Sequence, residues 1–275
     1  MKGIILAGGT GTRLLPLTAV LTKQLLPVYD RPMIFYPLNT LVKAGIKDIL
    51  IIVAPEYSGS YLNLLGSLLR PFGIGLSFMV QKEPRGLADA FILGEDFMDD
   101  EAVTMILGDN ILEDDFSEAI QTFEKGGRIF AKQVTDPERF GVVEFDSQNN
   151  KVISIEEKPT VPKSDFAIPG LYIFDNRVCK IAKQLKPSER GEIEIVDLFK
   201  AYLASDELDV RIMQGAFFDA GTIDALLEVS NYVKNNNFNT KFHPDIEKAL
   251  EAYKTEYKRI ASIQAKSKRS IDLMS

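Results

Sequence analysis

Short apolar runs rich in β-branched residues alternate with longer amphipathic stretches through the first half of the chain, and this alternation restricts the fold more than any other feature. Gly3 to Ala7, Asp48 to Ala54, Gly75 to Gln81 and Ala102 to Leu107 read as buried strands. Between them Pro32 to Ala44, Tyr57 to Leu69 and Gly86 to Phe97 carry apolar residues at helical spacing, and Pro32 suits a first helical turn. Strand and helix in that order imply right-handed βαβ crossovers and a largely parallel sheet covered on both faces. Ligands then bind beyond the carboxyl ends of the strands.

From Gly141 the texture changes. Val142 to Asp146, a polar turn over Ser147 to Asn150, and Lys151 to Ile155 predict a β-hairpin. Asp165 to Phe174 reads as a further strand, Asn176 to Leu185 as a helix stopped by Pro187, Glu194 to Ala204 as another helix, and Leu208 to Met213 as a strand. No Pro, Ser or Gly tract separates the halves, so residues 1–234 read as one mixed unit, with residues 235–275 as a helical extension. Within it Pro244 to Lys268 is rich in Lys and Glu, the pattern of a solvated helix docked by one apolar stripe.

Charge and rare residues narrow the chemistry. Lys plus Arg is 32 against 39 for Asp plus Glu, a formal charge of −7, so a nucleic acid backbone would be repelled. An anionic ligand must be held by a local site of backbone N–H groups, a few basic side chains, or a metal. The single cysteine, Cys179, excludes an internal disulfide and a cysteine-based zinc cage. With only one histidine, His243, far away in sequence, a Cys-His or Ser-His relay has no support. The apolar run at Gly3 to Ala7 is too short for a signal peptide or a membrane span, so a cytoplasmic location is expected.

The first strand runs directly into Gly8-Gly9-Thr10-Gly11-Thr12-Arg13-Leu14. Glycines after a strand let backbone amides approach phosphates closely. Leu14 stands where a dinucleotide fingerprint needs its third glycine, and the Gly-Lys-Ser/Thr ending of a P-loop is absent, so both common phosphate motifs fail. Taken alone, the segment is equally a glycine turn with Arg13 on the surface.

Thr22-Lys23-Gln24-Leu25-Leu26-Pro27 makes the pattern specific. With the glycine loop, Tyr29 to Leu38, Pro84-Arg85-Gly86-Leu87-Ala88, Leu107-Gly108-Asp109-Asn110, Asp136 to Val143, Glu156-Glu157-Lys158-Pro159, Gly170-Leu171-Tyr172, Arg190-Gly191-Glu192 and Asp219-Ala220-Gly221-Thr222, the chain resembles the sugar-nucleotide pyrophosphorylases over Met1 to Tyr232. The resemblance implies an α/β, Rossmann-like mixed sheet, mainly parallel and flanked by helices, with an antiparallel hairpin on the sugar side. It is strongest to the branch that joins dTTP to glucose 1-phosphate and releases pyrophosphate, with UTP as the alternative nucleotide. It also implies Mg²⁺ between Asp109 and Asp219, and a homo-oligomer, dimer or tetramer.

That reaction needs no covalent nucleophile, because the sugar phosphate itself attacks and positioning with charge neutralisation dominates. The expected catalytic set is Arg13, Lys23, Asp109, Lys158 and Asp219. Leu6, Gly8, Gly9, Thr10, Gly11, Gln24, Gln81, Pro84, Gly86 and Asp109 are expected on the nucleotide. Gly141, Glu157, Lys158, Tyr172 and Arg190 are expected on the sugar phosphate. Gln81 ends a strand, and its amide can pair with a thymine or uracil edge. Several departures stand out: Ile111 to Asp115 in place of an aromatic, glycine-rich turn, Phe217 and Ala220 in place of a tryptophan and a threonine around Asp219, and a C-terminal tail of its own kind. Two competing readings are a dinucleotide oxidoreductase, opposed by the missing third glycine, and a non-enzymatic nucleotide-sugar sensor, opposed by the presence of Arg13, Lys23, Asp109 and Asp219.

Overall fold

The apolarity of Lys2–Ala7, Asp48–Val53 and Val103–Leu107 follows from burial on both faces, whereas Gly75–Val80, expected as a buried strand, lies at the sheet edge and contains no buried residue. The computed structural model describes residues 1–146, 148–189 and 191–272. Its strands are β1 (Lys2–Ala7), β2 (Pro27–Val28), β3 (Arg31–Pro32), β4 (Asp48–Val53), β5 (Gly75–Val80), β6 (Val103–Leu107), β7 (Asn110–Leu112), β8 (Gly127–Gln133), β9 (Gly141–Asp146), β10 (Lys151–Glu157), β11 (Phe166–Ala167), β12 (Leu171–Phe174), β13 (Leu208–Ile212) and β14 (Phe217–Asp219). The helices are α1 (Phe35–Lys43), α2 (Ser58–Leu65), α3 (Asp89–Leu93), α4 (Glu95–Met98), α5 (Ser117–Gln121), α6 (Val178–Ala182), α7 (Ile195–Ala204), α8 (Ile223–Asn235) and α9 (Pro244–Asp272).

A ten-stranded sheet runs in the order β11-β9-β10-β13-β8-β12-β6-β1-β4-β5. β1 lies parallel between β4 and β6, and β4 lies parallel to β5, as the alternation of strand and helix requires. Along β1 the side chains alternate: Ile5 and Ala7 join one core with Ile49, Ile51 and Val53, while Ile4 and Leu6 join the other with Leu50 and Ile52. The first core is closed by α1, α2, α8 and the start of α9; the second by α3, α6 and α7. β12 is antiparallel to both its neighbours and makes the sheet mixed. The expected hairpin forms between β9 and β10, with an irregularity between Val152 and Ser154; Ser147 lies outside the described residues. β11 also pairs with β8, so β8, β13, β10, β9 and β11 close a ring of strand pairings.

Several boundaries differ from expectation. Pro32 pairs with Pro27 in a small β2–β3 hairpin instead of opening α1, which begins only at Phe35. The stretch 86–97 is not one helix but two short ones, broken at Gly94, where a Cβ would meet Ile4 at 3.1 Å and Leu50 at 3.3 Å. Asp165 to Phe174 is likewise two strands, since Ile168-Pro169-Gly170 carries the chain from a place beside β9 and β8 to one between β8 and β6. Proline supplies no ladder donor there, and the Leu171 amide turns back to the Pro169 carbonyl at 2.8 Å. β8, β14 and α8 carry no expectation from the sequence. α9 docks by Ile246 and Ala249, while Tyr253 and Tyr257 are exposed. Arg31, 8 % exposed, fastens its first turn: it donates to Glu247 at 2.7 Å and lies 4.2 Å over the Phe242 ring. Among the described residues no helix is long and apolar enough to cross a membrane.

Phe174 is fully buried, with ring contacts to Phe91, Phe199 and Tyr202. Phe174→Ala is expected to lower the unfolding free energy by about 3 to 5 kcal/mol, read as a shift of the urea midpoint with an unchanged slope.

Candidate active site

Asp109 follows β6 by two residues, at the carboxyl edge of the parallel strands. Its neighbour Asn110 opens β7, which pairs antiparallel with β14 so that Asp219 stands opposite Asn110. The Ala220 amide donates to the Asp109 carbonyl at 3.0 Å. The departure at Ile111 to Asp115 reinforces this ladder. Asp114 accepts from the Gln214 and Gly215 amides, and Glu113 from the Ala216 amide at 3.1 Å. Hydrogen bonds from Tyr232 and Lys241 hold the Glu113 carboxyl down to about 2, so it stays an acceptor.

Lys23 donates to Asp109 Oδ2 at 2.5 Å, with both side chains 13 % exposed. Burial acts to raise the Asp109 carboxyl, but the charge and hydrogen bond of Lys23, with backbone and Asn110 donors, hold it below its ordinary range. Asp219 is pushed the other way, by burial and by the charge of Asp109, which Lys23 and Arg13 offset only in part. Arg13 is exposed beside it: a Cβ on Gly221 would meet Arg13 Nη2 at 2.8 Å and Asp219 Oδ1 at 3.1 Å. Two adjacent carboxylates with one charge incompletely balanced form a hard-oxygen donor pair that fits a divalent cation. Among the described residues no group of three or more His, Cys, Asp or Glu side chains is arranged for a metal. Such a cation would therefore draw its remaining ligands from phosphate oxygens and water.

The glycine loop turns with Gly9 at φ 96° and Gly11 at φ 61°, conformations in the left-handed region that glycine adopts without a Cβ clash. The Gly11 carbonyl accepts from the Leu14 amide at 2.9 Å and from Thr18 Oγ1 at 2.8 Å. Gly9 and Thr10 face solvent. Gln24 lies buried beneath this loop. At 1 % exposed, it donates to the Gly8 carbonyl at 3.2 Å and accepts from Thr22 and Tyr61. Leu6 is buried too, its carbonyl taken by the Gly108 amide at 2.9 Å. Gln81 follows β5 directly, with Oε1 beside Gly8 and Nε2 donating to Asp89 at 2.9 Å. Pro84 is exposed. A glycine is required at 86 because a Cβ there would sit 2.4 Å from the Ile193 carbonyl oxygen.

A cavity of about 310 Å³ gathers Arg13, Asp109 and Asp219 with Gly141, Glu157, Lys158 and Tyr172. Gly8 to Gly11, Lys23, Gln81, Pro84 and Gly86 are not among its lining residues. Gly141 and Glu157 are register partners across β9 and β10. Glu157 Oε1 lies 3.3 Å from Lys158 Nζ, and Lys158 holds a left-handed backbone at φ 43° just beyond the strand. Such a conformation costs a non-glycine residue about 1 to 3 kcal/mol and clusters at ligand sites. Tyr172 is 3 % exposed against Phe199; burial, then the Glu157 and Asp109 charges, push its phenol far above its ordinary range. Arg190 lies outside the described residues. Phe217, in the expected tryptophan position, packs its ring 5.6 Å from Phe140, and both line the cavity. Arg139, Glu192 and Glu194 line it as well and have no expected role from the sequence, although each sits inside or beside a motif that carries the resemblance.

The nucleotidyl transferase family profile matches residues 2–236. A glucose-1-phosphate thymidylyltransferase of Neisseria meningitidis is 52 % identical over 240 residues, covering 85 % of this chain and 83 % of that protein. One of Mycobacterium tuberculosis is 45 % identical over 239 residues, covering 85 % and 82 %. Among solved structures, a Bacillus anthracis chain assigned as a glucose-1-phosphate thymidylyltransferase, in complex with a sucrose, superposes with a TM-score of 0.82 at 41 % identity, covering 90 % of this chain and 99 % of that one. A UDP-glucose pyrophosphorylase with UDP-glucose, at 24 % identity and a TM-score of 0.74 over 86 % and 98 %, shares the fold. With a matched profile over most of its length and relatives at this level of identity, the chain belongs to the nucleotidyl transferase family of enzymes.

Proposed function

We propose that this enzyme condenses dTTP with glucose 1-phosphate to give dTDP-glucose and pyrophosphate. The observation that carries the reading is the pairing of Asp109 and Asp219, beside Lys23 and Arg13, on a cavity that also contains Glu157 and Lys158. In this reaction an oxygen of the sugar phosphate attacks the α-phosphorus in line, the α–β phosphoanhydride bond breaks, and its electron pair leaves with pyrophosphate. Lys158 offers a cation to the attacking phosphate, and Glu157 accepts from sugar hydroxyls. Arg13, with its permanently charged fork, balances the charge that develops on the leaving pyrophosphate. The amides of the glycine loop are proposed to face the triphosphate, with Gln24 fixing that loop from beneath. Lys23 balances Asp109 and lends positive charge to the same region. Gln81 reads the base from the end of β5. Asp109 and Asp219 would hold Mg²⁺, which when bound supplies charge neutralisation at the phosphate oxygens.

Pyrophosphate release from dTTP and glucose 1-phosphate tests the reading directly. Removal of divalent cations with excess chelator is expected to abolish turnover, and Asp109→Asn to reduce kcat by at least about a hundredfold with the fold intact by circular dichroism. Unchanged rates in either case would remove the metal assignment.

Steady-state kinetics separate the two sides of the site. Arg13→Ala is expected to lower kcat more than it raises the KM for glucose 1-phosphate, and Lys158→Ala to do the reverse. Interchangeable defects would refute the division.

A triphosphate panel checks the base. dTTP and UTP are expected as substrates, dTTP modestly preferred because its methyl adds only about 1 kcal/mol of apolar burial. GTP or CTP turning over faster than dTTP would overturn the assignment of Gln81.

A further inference from the structure

Asp89, at the start of α3, is 1 % exposed, yet none of the roles above uses it. Its Oδ2 accepts from Gln81 Nε2 at 2.9 Å. Its Oδ1 is a buried atom without a hydrogen-bond partner, and Arg85 Nε stands 3.8 Å from it, beyond bonding distance, on a side chain that is 58 % exposed. A carboxylate buried with one oxygen unsatisfied is costly to keep, so its single strong hydrogen bond calls for an explanation.

A carboxylate can only accept. It therefore admits one of the two orientations of the neighbouring amide: Nε2 toward Asp89 and Oε1 away from it. Oε1 comes to rest beside Gly8, where a Cβ would lie 3.3 Å from it, so the carbonyl oxygen faces the glycine loop at the carboxyl edge of the sheet. We infer that Asp89 is a positioning residue that locks Gln81 with its carbonyl oxygen outward, so that the base subsite selects pyrimidines that donate a proton from N3. Thymine and uracil carry that N3–H, whereas cytosine presents an unprotonated nitrogen there. A freely turning glutamine would serve either class. The lock deepens the proposed function and rests on its placement of Gln81 against the base.

The test compares dTTP with 5-methyl-dCTP, which matches it in outline and differs at the polar edge. Asp89→Asn keeps the shape but offers both a donor and an acceptor, so the Gln81 amide can take either orientation. The wild-type preference in kcat/KM for dTTP is expected to narrow by about tenfold, chiefly through a lower KM for 5-methyl-dCTP, with kcat for dTTP kept within about twofold. The preference for dTTP over dGTP, which depends on size, stays unchanged. In a Gln81→Ala background Asp89→Asn adds no further change, because the residue acts through Gln81. Asp89→Gln, a second variant able to donate or accept, should show the same narrowing. An unchanged dTTP to 5-methyl-dCTP ratio in the folded variants, or an equal loss of all discriminations, overturns the lock while leaving the nucleotidyl-transfer reading in place. A wild-type enzyme that releases no pyrophosphate from any pyrimidine triphosphate with glucose 1-phosphate overturns both.

Discussion

Everything at the site depends on holding two like charges together against their repulsion. Asp109 and Asp219 come from separate parts of the chain, and neither belongs to the large sheet. The three residue pairs of β7 and β14, with the Ala220 amide on the Asp109 carbonyl, set their separation through backbone geometry. Side-chain cations then divide the charge unequally. Lys23 holds Asp109 ionised, whereas for Asp219 burial and the Asp109 charge outweigh what Lys23 and Arg13 supply. A site poised in this way gains most from additional positive charge, which is the electrostatic state expected of a centre that handles several phosphates at once.

A second theme is the use of buried and half-buried polar side chains to fix the loops around the site. Gln24 steadies the glycine loop through the Gly8 carbonyl, and Glu113 and Asp114, just beyond β7, bind the amides of residues 214–216 that lead into the strand carrying Asp219. Each offers polar atoms to backbone, so the placement of loops does not rely on loop propensity alone. The stretch Ile111 to Asp115, which lacks the glycines of a tight turn, is thereby fixed through its acidic side chains. Asn110 adds to the same scaffold, since its Oδ1 accepts from the Gly170 amide at 2.8 Å.

The parallel strands are legible in the sequence because burial on both faces gives an unbroken apolar run, as in β1 and β4. The hairpin of β9 and β10 is legible through its polar turn. The β7–β14 ladder is not: three residues a side carry no period, and only the resemblance brings Asp109 and Asp219 together. The helix break at Gly94 and the strand break at Pro169 depend on what the chain meets in space. Arg139, Glu192 and Glu194 reach the cavity by tertiary placement, and the contact between Gln81 and Asp89 joins a strand end to a helix start that no spacing rule connects.

The ring of pairings through β8, β13, β10, β9 and β11 has a mechanical consequence. A hairpin attached along one side can bend about that side, but one tied into a closed circuit shares any load with every other member. Glu157 and Lys158 stand at the end of such a circuit, so their spacing from Gly141 is insulated from local flexing. The wall that carries Glu157 and Lys158 is thus the braced side of the cavity, while Arg13 and Asp109, on the facing side, stand on segments outside the circuit.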